Sequence, residues 1–158
     1  MTTIATNGKT LAADRLMSAN GDRVGYITKA HRAPDGSVFG VSGPTADCQR
    51  FVRWLTEEPN DKPDLSEDFS ALVLSPEGVV TYYCSKLEPV EFGEVSAIGS
   101  GADFAIGAMF AGASPQEAVK IACIRDVYSG GDVTVLEPVR RVSPAVRDCG
   151  PGSLNQAA

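Results

Sequence analysis

The order of strands and helices in this 158-residue sequence predicts an α+β domain, with helices packed outside a mostly antiparallel sheet or pair of sheets. Three pairs of β-rich segments are each joined by a short turn sequence: Asn-Gly at 7–8, Pro-Asp-Gly at 34–36 and Pro-Glu-Gly at 76–78. Helical periodicity occurs in three stretches, one between the second and third pairs and two after the third. This order is typical of sheets covered by helices.

The first two hairpins account for most of the first 43 residues. Asn7 and Gly8 form the dipeptide that best supports a tight two-residue turn, and Pro34 presets φ for the second turn. The residues between the hairpins, 16–23, are interpreted as a looser stretch. The predicted strands are 2–6, 9–15, 25–32 and 37–43.

A helix is predicted from Thr45 to Glu57, with Thr45 as its N-cap. The apolar residues that recur at helical spacing along one face are Cys48, Phe51, Val52, Trp54 and Leu55. Residues 58–68 are acidic, contain two prolines and show no apolar periodicity, so they are predicted to form a loop.

The third hairpin comprises residues 69–75 and 79–84, which are rich in β-branched and aromatic side chains. Residues 87–101 are predicted to continue as a strand toward Gly99.

Two helices and a final strand follow. The first helix covers residues 102–110 and can be closed by Gly112. Ser114 then caps a second helix, with Pro and Glu at its first and third positions, which is predicted to reach about Val127. Residues 133–139 form the last predicted strand.

Composition and charge exclude several classes of protein. The net charge of -6 and the absence of a basic stretch beyond Arg140 and Arg141 argue against a nucleic-acid or anionic-membrane surface. No apolar run approaches the ~20 residues that span a bilayer, and the polar start lacks the parts of a signal peptide, so we expect a cytoplasmic protein. A single domain is expected over residues 1–141, with a flexible C-terminal tail at 142–158.

The cysteines and the histidine do not indicate a metal site or a familiar nucleophile. Cys48, Cys84, Cys123 and Cys149 lack CxxC or metal-ligand spacing, so reduced thiols are expected, with no metal and no cofactor. A Ser/His/Asp or Cys/His hydrolase would have to use His31, the only histidine, and no GxSxG motif supports one. Cys48 is interpreted as a packed residue of the first helix.

Four separated segments resemble parts of the catalytic β-type subunits of proteasomes and of the bacterial HslV peptidase. The chain resembles a short bacterial or phage-like member of this family. The segments are TTI after Met1, AAD ending in Asp14, the lysine of YITKAHR (Lys29) followed by GVSGPTADCQ, and IGSG followed by RDVYSGG. They run in the family's order from residue 2 to about residue 135. RDVYSGG is the most specific of them, whereas each segment alone would be weak evidence for the family.

The resemblance implies the N-terminal nucleophile hydrolase fold, a four-layer αββα sandwich of two antiparallel sheets. Relatives usually carry a second long helix after the first, where this sequence has the acidic loop at 58–68. The helical layer is therefore expected to be shortened, and the choice between a single and a double ring stays open. The first hairpin is also shorter than usual, which could shift Asp14 relative to Thr2 and Lys29.

The chemistry implied by the resemblance starts from Thr2, exposed by loss of Met1. A threonine hydroxyl must give its proton to a base as it attacks, and an N-terminal amine with a pKa near 7.7 to 8 can accept it. Lys29 would lie beside Thr2, where its ammonium favours the alkoxide and lowers the pKa of the amine. Asp14 would pair with Lys29 and orient it.

The resemblance also implies supporting residues. Ser100, Asp126 and Ser129 match the polar residues that hold the N-terminal amine and a water molecule in the family. The backbone N–H of Gly43 matches the donor to the tetrahedral oxyanion. Val41 matches a residue of the primary specificity pocket, which suggests tolerance for medium apolar side chains.

Three functions remain open on the sequence. The first is a threonine endopeptidase acting on peptides or unfolded proteins, in a homo-oligomeric ring fed by an ATP-dependent unfoldase. The second is an inactive proteasome-like scaffold or assembly protein. The third is a small-molecule amidase of the same fold. Retention of all the matching polar residues favours the first.

Overall fold

A computed structural model describes residues 1–140 of the chain. The predicted flexible tail at 142–158, and the last residue of the predicted domain, lie outside the described residues. In chain order the elements are β1 (Ile4–Thr6), β2 (Leu11–Ala13), β3 (Leu16–Ala19), β4 (Asp22–Tyr26), β5 (Ala30–Arg32), β6 (Val38–Ser42), α1 (Thr45–Glu57), β7 (Ser70–Leu74), β8 (Val80–Cys84), β9 (Val90–Phe92), β10 (Ser96–Ile98), α2 (Ala102–Phe110), α3 (Pro115–Arg125) and β11 (Thr134–Leu136).

The strands form two main antiparallel sheets and a small ribbon. The first sheet has the order β10-β1-β2-β11, and the second has the order β5-β6-β7-β8-β9. Strands β3 and β4 pair with each other in a separate two-stranded ribbon.

Three apolar clusters define four layers. Alternate residues of the short strands point to opposite faces of a sheet, so Ile4 and Leu11 contact the second sheet whereas Ala5 and Ala12 contact α2 and α3. On the other side of the second sheet, Phe51 of α1 packs against aromatic and aliphatic side chains of that sheet. The architecture is therefore the predicted αββα sandwich, with two helices on one side and one on the other.

The three predicted hairpins and the three helices are confirmed, including the apolar face of α1 and the loop at 58–68. The capping box at the start of α3 is present, with the Ser114 hydroxyl accepting from the Glu117 N–H and the Glu117 carboxylate accepting from the Ser114 N–H. The predicted end of α3 at Val127 is two residues too long, since the chain leaves the helix at Asp126.

The prediction for residues 16–32 is wrong in two places. Residues 16–23, expected to be loose, form most of the β3–β4 ribbon, whose turn has Asn20 and Gly21 at φ values of 53° and 83°. Positive φ at both central residues is the geometry of the tightest hairpin turn. The single strand predicted over 25–32 is instead divided, because β4 ends at Tyr26 and β5 begins at Ala30.

Two further expectations are corrected. Thr45 is not the N-cap of α1 but its first residue. Pro44 occupies the cap and makes no side-chain hydrogen bond, because the proline ring has no polar atom. The strand predicted over 87–101 is two strands, since β9 pairs in the second sheet and β10 in the first. No helix within residues 1–140 has the length and apolar character needed to cross a membrane.

Candidate active site

Thr2 and Thr3 directly precede β1, a central strand of the first sheet. The register pairs Ile4 with Ala13 of β2, so the next residue outward, Thr3, lies opposite Asp14. The Asp14 N–H donates to the Thr3 carbonyl at 3.1 Å and continues the ladder. The sheet register therefore places Thr2 at the end of β2, where it is buried.

The carboxylate of Asp14 is completely buried and receives hydrogen bonds from both side chains and backbone. Oδ1 accepts from Thr2 Oγ1 at 2.9 Å, Thr3 N at 3.0 Å and Lys29 Nζ at 3.0 Å. Oδ2 accepts from Lys29 Nζ at 3.1 Å, Leu16 N at 3.2 Å and Gly130 N at 3.0 Å. Thr2 and Lys29 thus share one oxygen of the same carboxylate, a contact that the sequence did not indicate for the threonine.

Lys29 lies between β4 and β5, opposite Val41, whose N–H donates to the Lys29 carbonyl at 3.0 Å. Its side chain is 8% exposed and forms an ion pair with Asp14. Burial lowers the pKa of Lys29, because water is withdrawn from the ammonium, while the charge of Asp14 opposes this shift. The shortened first hairpin therefore does not separate Asp14 from Thr2 or Lys29.

Met1 precedes the site and occupies part of it. The ammonium of Lys29 donates to the Met1 carbonyl oxygen at 3.2 Å, and the Met1 residue is 63% exposed. While Met1 is attached, the nitrogen of Thr2 is an amide and cannot act as a base.

A second polar cluster surrounds the carboxylate of Asp126, at the C-terminal end of α3. Its Oδ2 accepts from Ser100 Oγ at 2.6 Å and from Ser129 Oγ. The hydroxyls of Ser129 and Thr3 are in turn 2.7 Å apart, and Ser100 Oγ lies 3.4 Å from the Thr2 carbonyl oxygen. The cluster therefore adjoins the Asp14 site through the backbone of residues 2 and 3.

Two glycines permit close approach of backbone at the site. Gly99 has φ +94°, and a Cβ there would lie 2.0 Å from the Thr2 carbonyl oxygen. Gly43 has φ +130°, and a Cβ there would lie 2.8 Å from the Asp68 carbonyl oxygen. A side chain at either position would displace the chain that forms the site.

Two recesses open beside Thr2. The first is lined by Met1, Thr2, Lys29, Val41, Gly43 and Cys48 among others. The second also includes Met1 and Gly43 and extends to Ser100 and Asp68. Gly43 therefore borders both recesses, and Val41 lines the recess that contains Thr2 and Lys29.

His31 and Cys48 have properties of packed residues. Burial lowers the pKa of His31, whose ring contacts that of Phe39 at a centroid distance of 5.5 Å. Burial raises the pKa of Cys48 to about 11, with Asp47 adding to the shift, and its Sγ lies 3.7 Å from the Gly43 carbonyl oxygen. A thiol with this pKa is protonated at neutral pH, which is opposite to what a nucleophilic cysteine requires.

The comparisons with known proteins find matches among solved structures only. No protein-family model matches the chain, and no curated protein matches it. Solved structures do match. They include BPH of Thiobacillus denitrificans in complex with epoxomicin (20% identity, TM-score 0.64, 87% of this chain and 98% of that one) and BPH alone (21%, 0.62, 89% and 99%). Eukaryotic HslV from Trypanosoma brucei also matches, at 25% identity and TM-score 0.61, over 87% of this chain and 99% of that one. The chain has the fold of HslV-type peptidases.

The predicted resemblance is therefore confirmed, and it covers nearly the whole length of the matched HslV and BPH chains. Within residues 1–140 of this HslV-type fold, the loop at 58–68 follows the one helix on the outer face of the second sheet. The shortened helical layer expected from the sequence is present, and the two sheets retain their core.

The HslV-type fold brings all the candidate residues named from the sequence into one region. Thr2, Asp14 and Lys29 form one hydrogen-bonded group, and Ser100, Asp126 and Ser129 form the adjoining one. Gly43 and Val41 line the recess beside them. The sequence did not indicate Thr3, because a buried threonine in a strand is ordinary and its contact with Ser129 spans 126 residues.

Proposed function

We propose that the chain is a threonine-type endopeptidase in which Thr2, after removal of Met1, attacks peptide bonds. The observation that carries this proposal is the shared hydrogen bonding of Thr2 Oγ1 and Lys29 Nζ to Oδ1 of the buried Asp14, at the floor of a recess. A hydroxyl held against a buried ion pair is oriented and polarised, as an activated nucleophile requires.

The reaction would follow from these contacts. Thr2 Oγ1 attacks the carbonyl carbon of the substrate, and the hydroxyl proton passes to the free amine of Thr2. The ammonium of Lys29 stabilises the developing negative charge, and the N–H of Gly43 donates to the tetrahedral oxyanion. The amine then gives its proton to the leaving nitrogen, and water hydrolyses the resulting threonine ester.

Removal of Met1 would switch the site on in two ways. It converts the amide nitrogen of Thr2 into a basic amine, and it frees the Lys29 N–H that donates to the Met1 carbonyl. The cationic lysine lowers the pKa of that new amine, which keeps more of it unprotonated at neutral pH. We assign Ser100, Asp126 and Ser129 to holding the amine and a water molecule.

The substrates, assembly, location and partner of the chain are inferred from the same family. We propose peptide or unfolded-protein substrates, assembly into a homo-oligomeric ring, and a cytoplasmic location. An ATP-dependent unfoldase is proposed as the partner that would feed the ring. Val41 at the wall of the recess favours medium apolar side chains beside the scissile bond.

The test is the intact mass of the purified full chain, before and after incubation with epoxomicin, the compound bound to BPH. Epoxomicin is a peptide epoxyketone, and this reagent captures both the hydroxyl and the amine of an N-terminal threonine. We expect loss of Met1 and one adduct per chain. Thr2→Ala is the control and should remain unlabelled.

Other outcomes would assign a different function to the chain. An unprocessed and unlabelled chain would identify an inactive scaffold and contradict the proposal. A processed, labelled monomer that hydrolyses small amides but no peptide would identify an amidase.

A further inference from the structure

Thr3 bonds to both polar groups of the site. Its side chain is completely buried. Its backbone N–H donates to Asp14 Oδ1 at 3.0 Å, and its hydroxyl lies 2.7 Å from that of Ser129. The two carboxylates, Asp14 and Asp126, are therefore linked through Thr3, the residue adjacent to Thr2, and Ser129.

The direction of the hydroxyl bond follows from the acceptors. A carboxylate only accepts hydrogen bonds, so the single hydroxyl proton of Ser129 is committed to Asp126. Ser129 must then accept from Thr3, whose hydroxyl is the donor. The chain of donors runs from Thr3 through Ser129 to the charge of Asp126, and each bond polarises the next.

The space around the Thr3 hydroxyl is closely fitted. A Cβ added at Gly101 would lie 2.0 Å from Thr3 Oγ1 and 3.2 Å from Asp126 Oδ2. The glycine therefore leaves room for this hydroxyl and for the carboxylate beside it. The hydroxyl is held in one place by its bond to Ser129 and by the backbone of the 99–101 turn.

We propose that Thr3 is a positioning residue that fixes Thr2 between the Asp14–Lys29 pair and the Asp126 cluster. The inference rests on the proposed function, since it concerns the placement of the Thr2 nucleophile and amine. Thr3 lines neither of the recesses beside the site. Loss of its hydroxyl should therefore slow the chemical step and leave substrate binding unchanged.

The experiment compares Thr3→Val, which keeps the shape but removes the hydroxyl, with Thr3→Ser, which keeps the hydroxyl. Thr6→Val is the matched control, because Thr6 is equally buried on β1 and its hydroxyl donates to the Thr10 carbonyl at 2.7 Å, away from the site. The fraction of chains with a working site is measured from the intact mass after epoxomicin labelling. Values of kcat per labelled site and KM are then measured on one fluorogenic peptide.

We expect Thr3→Val to lower kcat by about 10- to 100-fold, with KM within about twofold of the parent value. Thr3→Ser should recover most of kcat, and Thr6→Val should keep the parent kcat per labelled site. Ser129→Ala removes the same hydrogen bond from its other end and is the second variant if Thr3→Val does not fold. It should also lower kcat at nearly constant KM.

The outcomes separate this inference from the proposed function. A parent chain that is labelled, with a Thr3→Val variant that keeps the parent kcat, overturns the positioning role alone. A Ser129→Ala variant that keeps the parent kcat overturns both that role and the one assigned to Ser129. A rise in KM without loss of kcat in Thr3→Val also overturns it, since that pattern indicates a substrate contact. A parent chain that loses Met1 but takes no label contradicts the proposed function, and the positioning role with it.

Discussion

Asp14 is expected to contribute more to stability than its ionic partner Lys29, although both are buried. In Asp14→Ala, the ammonium of Lys29 stays buried, and its other acceptor, the Met1 carbonyl, is lost once Met1 is removed. The backbone N–H groups of Thr3, Leu16 and Gly130 also lose their acceptor. In Lys29→Met, by contrast, the carboxylate of Asp14 keeps those three donors and the hydroxyl of Thr2.

The magnitudes follow from this difference. Breaking a buried ion pair from one side costs about 3–5 kcal/mol, and each buried group left unpaired adds about 1–3 kcal/mol. From the lower ends of these ranges, for one ion pair and three N–H groups, we expect Asp14→Ala to cost at least about 6 kcal/mol of unfolding free energy, a large part of the 5–15 kcal/mol typical of a domain. For Lys29→Met we expect about 1–3 kcal/mol, because burial already disfavours the charged lysine and the carboxylate stays hydrogen-bonded.

The assay is equilibrium unfolding in urea at one fixed protein concentration, since assembly would make stability concentration-dependent. The double variant Asp14→Ala/Lys29→Met should be more stable than Asp14→Ala alone, because it removes the uncompensated charge. Arg53→Ala is the control. Its ion pair with Glu57 is 3.9 Å long and both side chains are about 70% exposed, so a change of under about 1 kcal/mol is expected.

Two results would refute this reasoning. If Lys29→Met destabilised the fold as much as Asp14→Ala, the backbone hydrogen bonds would not be what sets the importance of Asp14. If the double variant were no more stable than Asp14→Ala, the buried ammonium would not be the source of the cost.

Three further predictions concern backbone, pH and capping. Gly99→Ala should lower the free energy of unfolding by at least about 2 kcal/mol and reduce epoxomicin labelling, because its Cβ would overlap the Thr2 carbonyl. Gly107→Ala, in an open part of a helix, should be neutral or slightly stabilising in the same urea titration. Because burial lowers the pKa of His31 below 6.5, the unfolded chain binds its proton at higher pH than the folded one. Stability should therefore fall as the pH drops below 6.5 and level off below the folded-state pKa of His31. If a His31→Gln variant lost as much stability as the parent between about pH 7.5 and pH 5.5, His31 would not be the source of this pH dependence. Ser114→Ala should cost about 1 kcal/mol in thermal or urea unfolding through loss of the capping box, and an unchanged midpoint would count against that role.

The elements that sequence reasoning found are those with a strong local signal. The hairpin at Asn7-Gly8 and the capping box at Ser114 depend on residues only a few positions apart, so the sequence contains the whole interaction. The β3–β4 ribbon was missed because β4 is mostly exposed and has no apolar alternation. Its turn, Asn20-Gly21, was the available signal.

The strand predicted over 87–101 failed for a different reason. The segment has two strand-like stretches, one that ends at Phe92 and one that begins at Ser96, with Gly93 between them. The chain leaves the second sheet at the end of the first stretch and enters the first sheet at the start of the second. Which sheet a segment joins depends on partners far away in sequence, and local composition does not contain that information.

By itself the sequence determined the fold class, the helices and the hairpins, since these follow from periodicity, turn residues and caps. Through its resemblance to a family, it also indicated which polar residues to examine. The tertiary structure alone decided that Thr2, Asp14 and Lys29 meet on one carboxylate, and that Thr3 bonds to Ser129 across 126 residues. These contacts are set by strand register and by the end of α3, where a shift of one residue would turn each side chain to the opposite face.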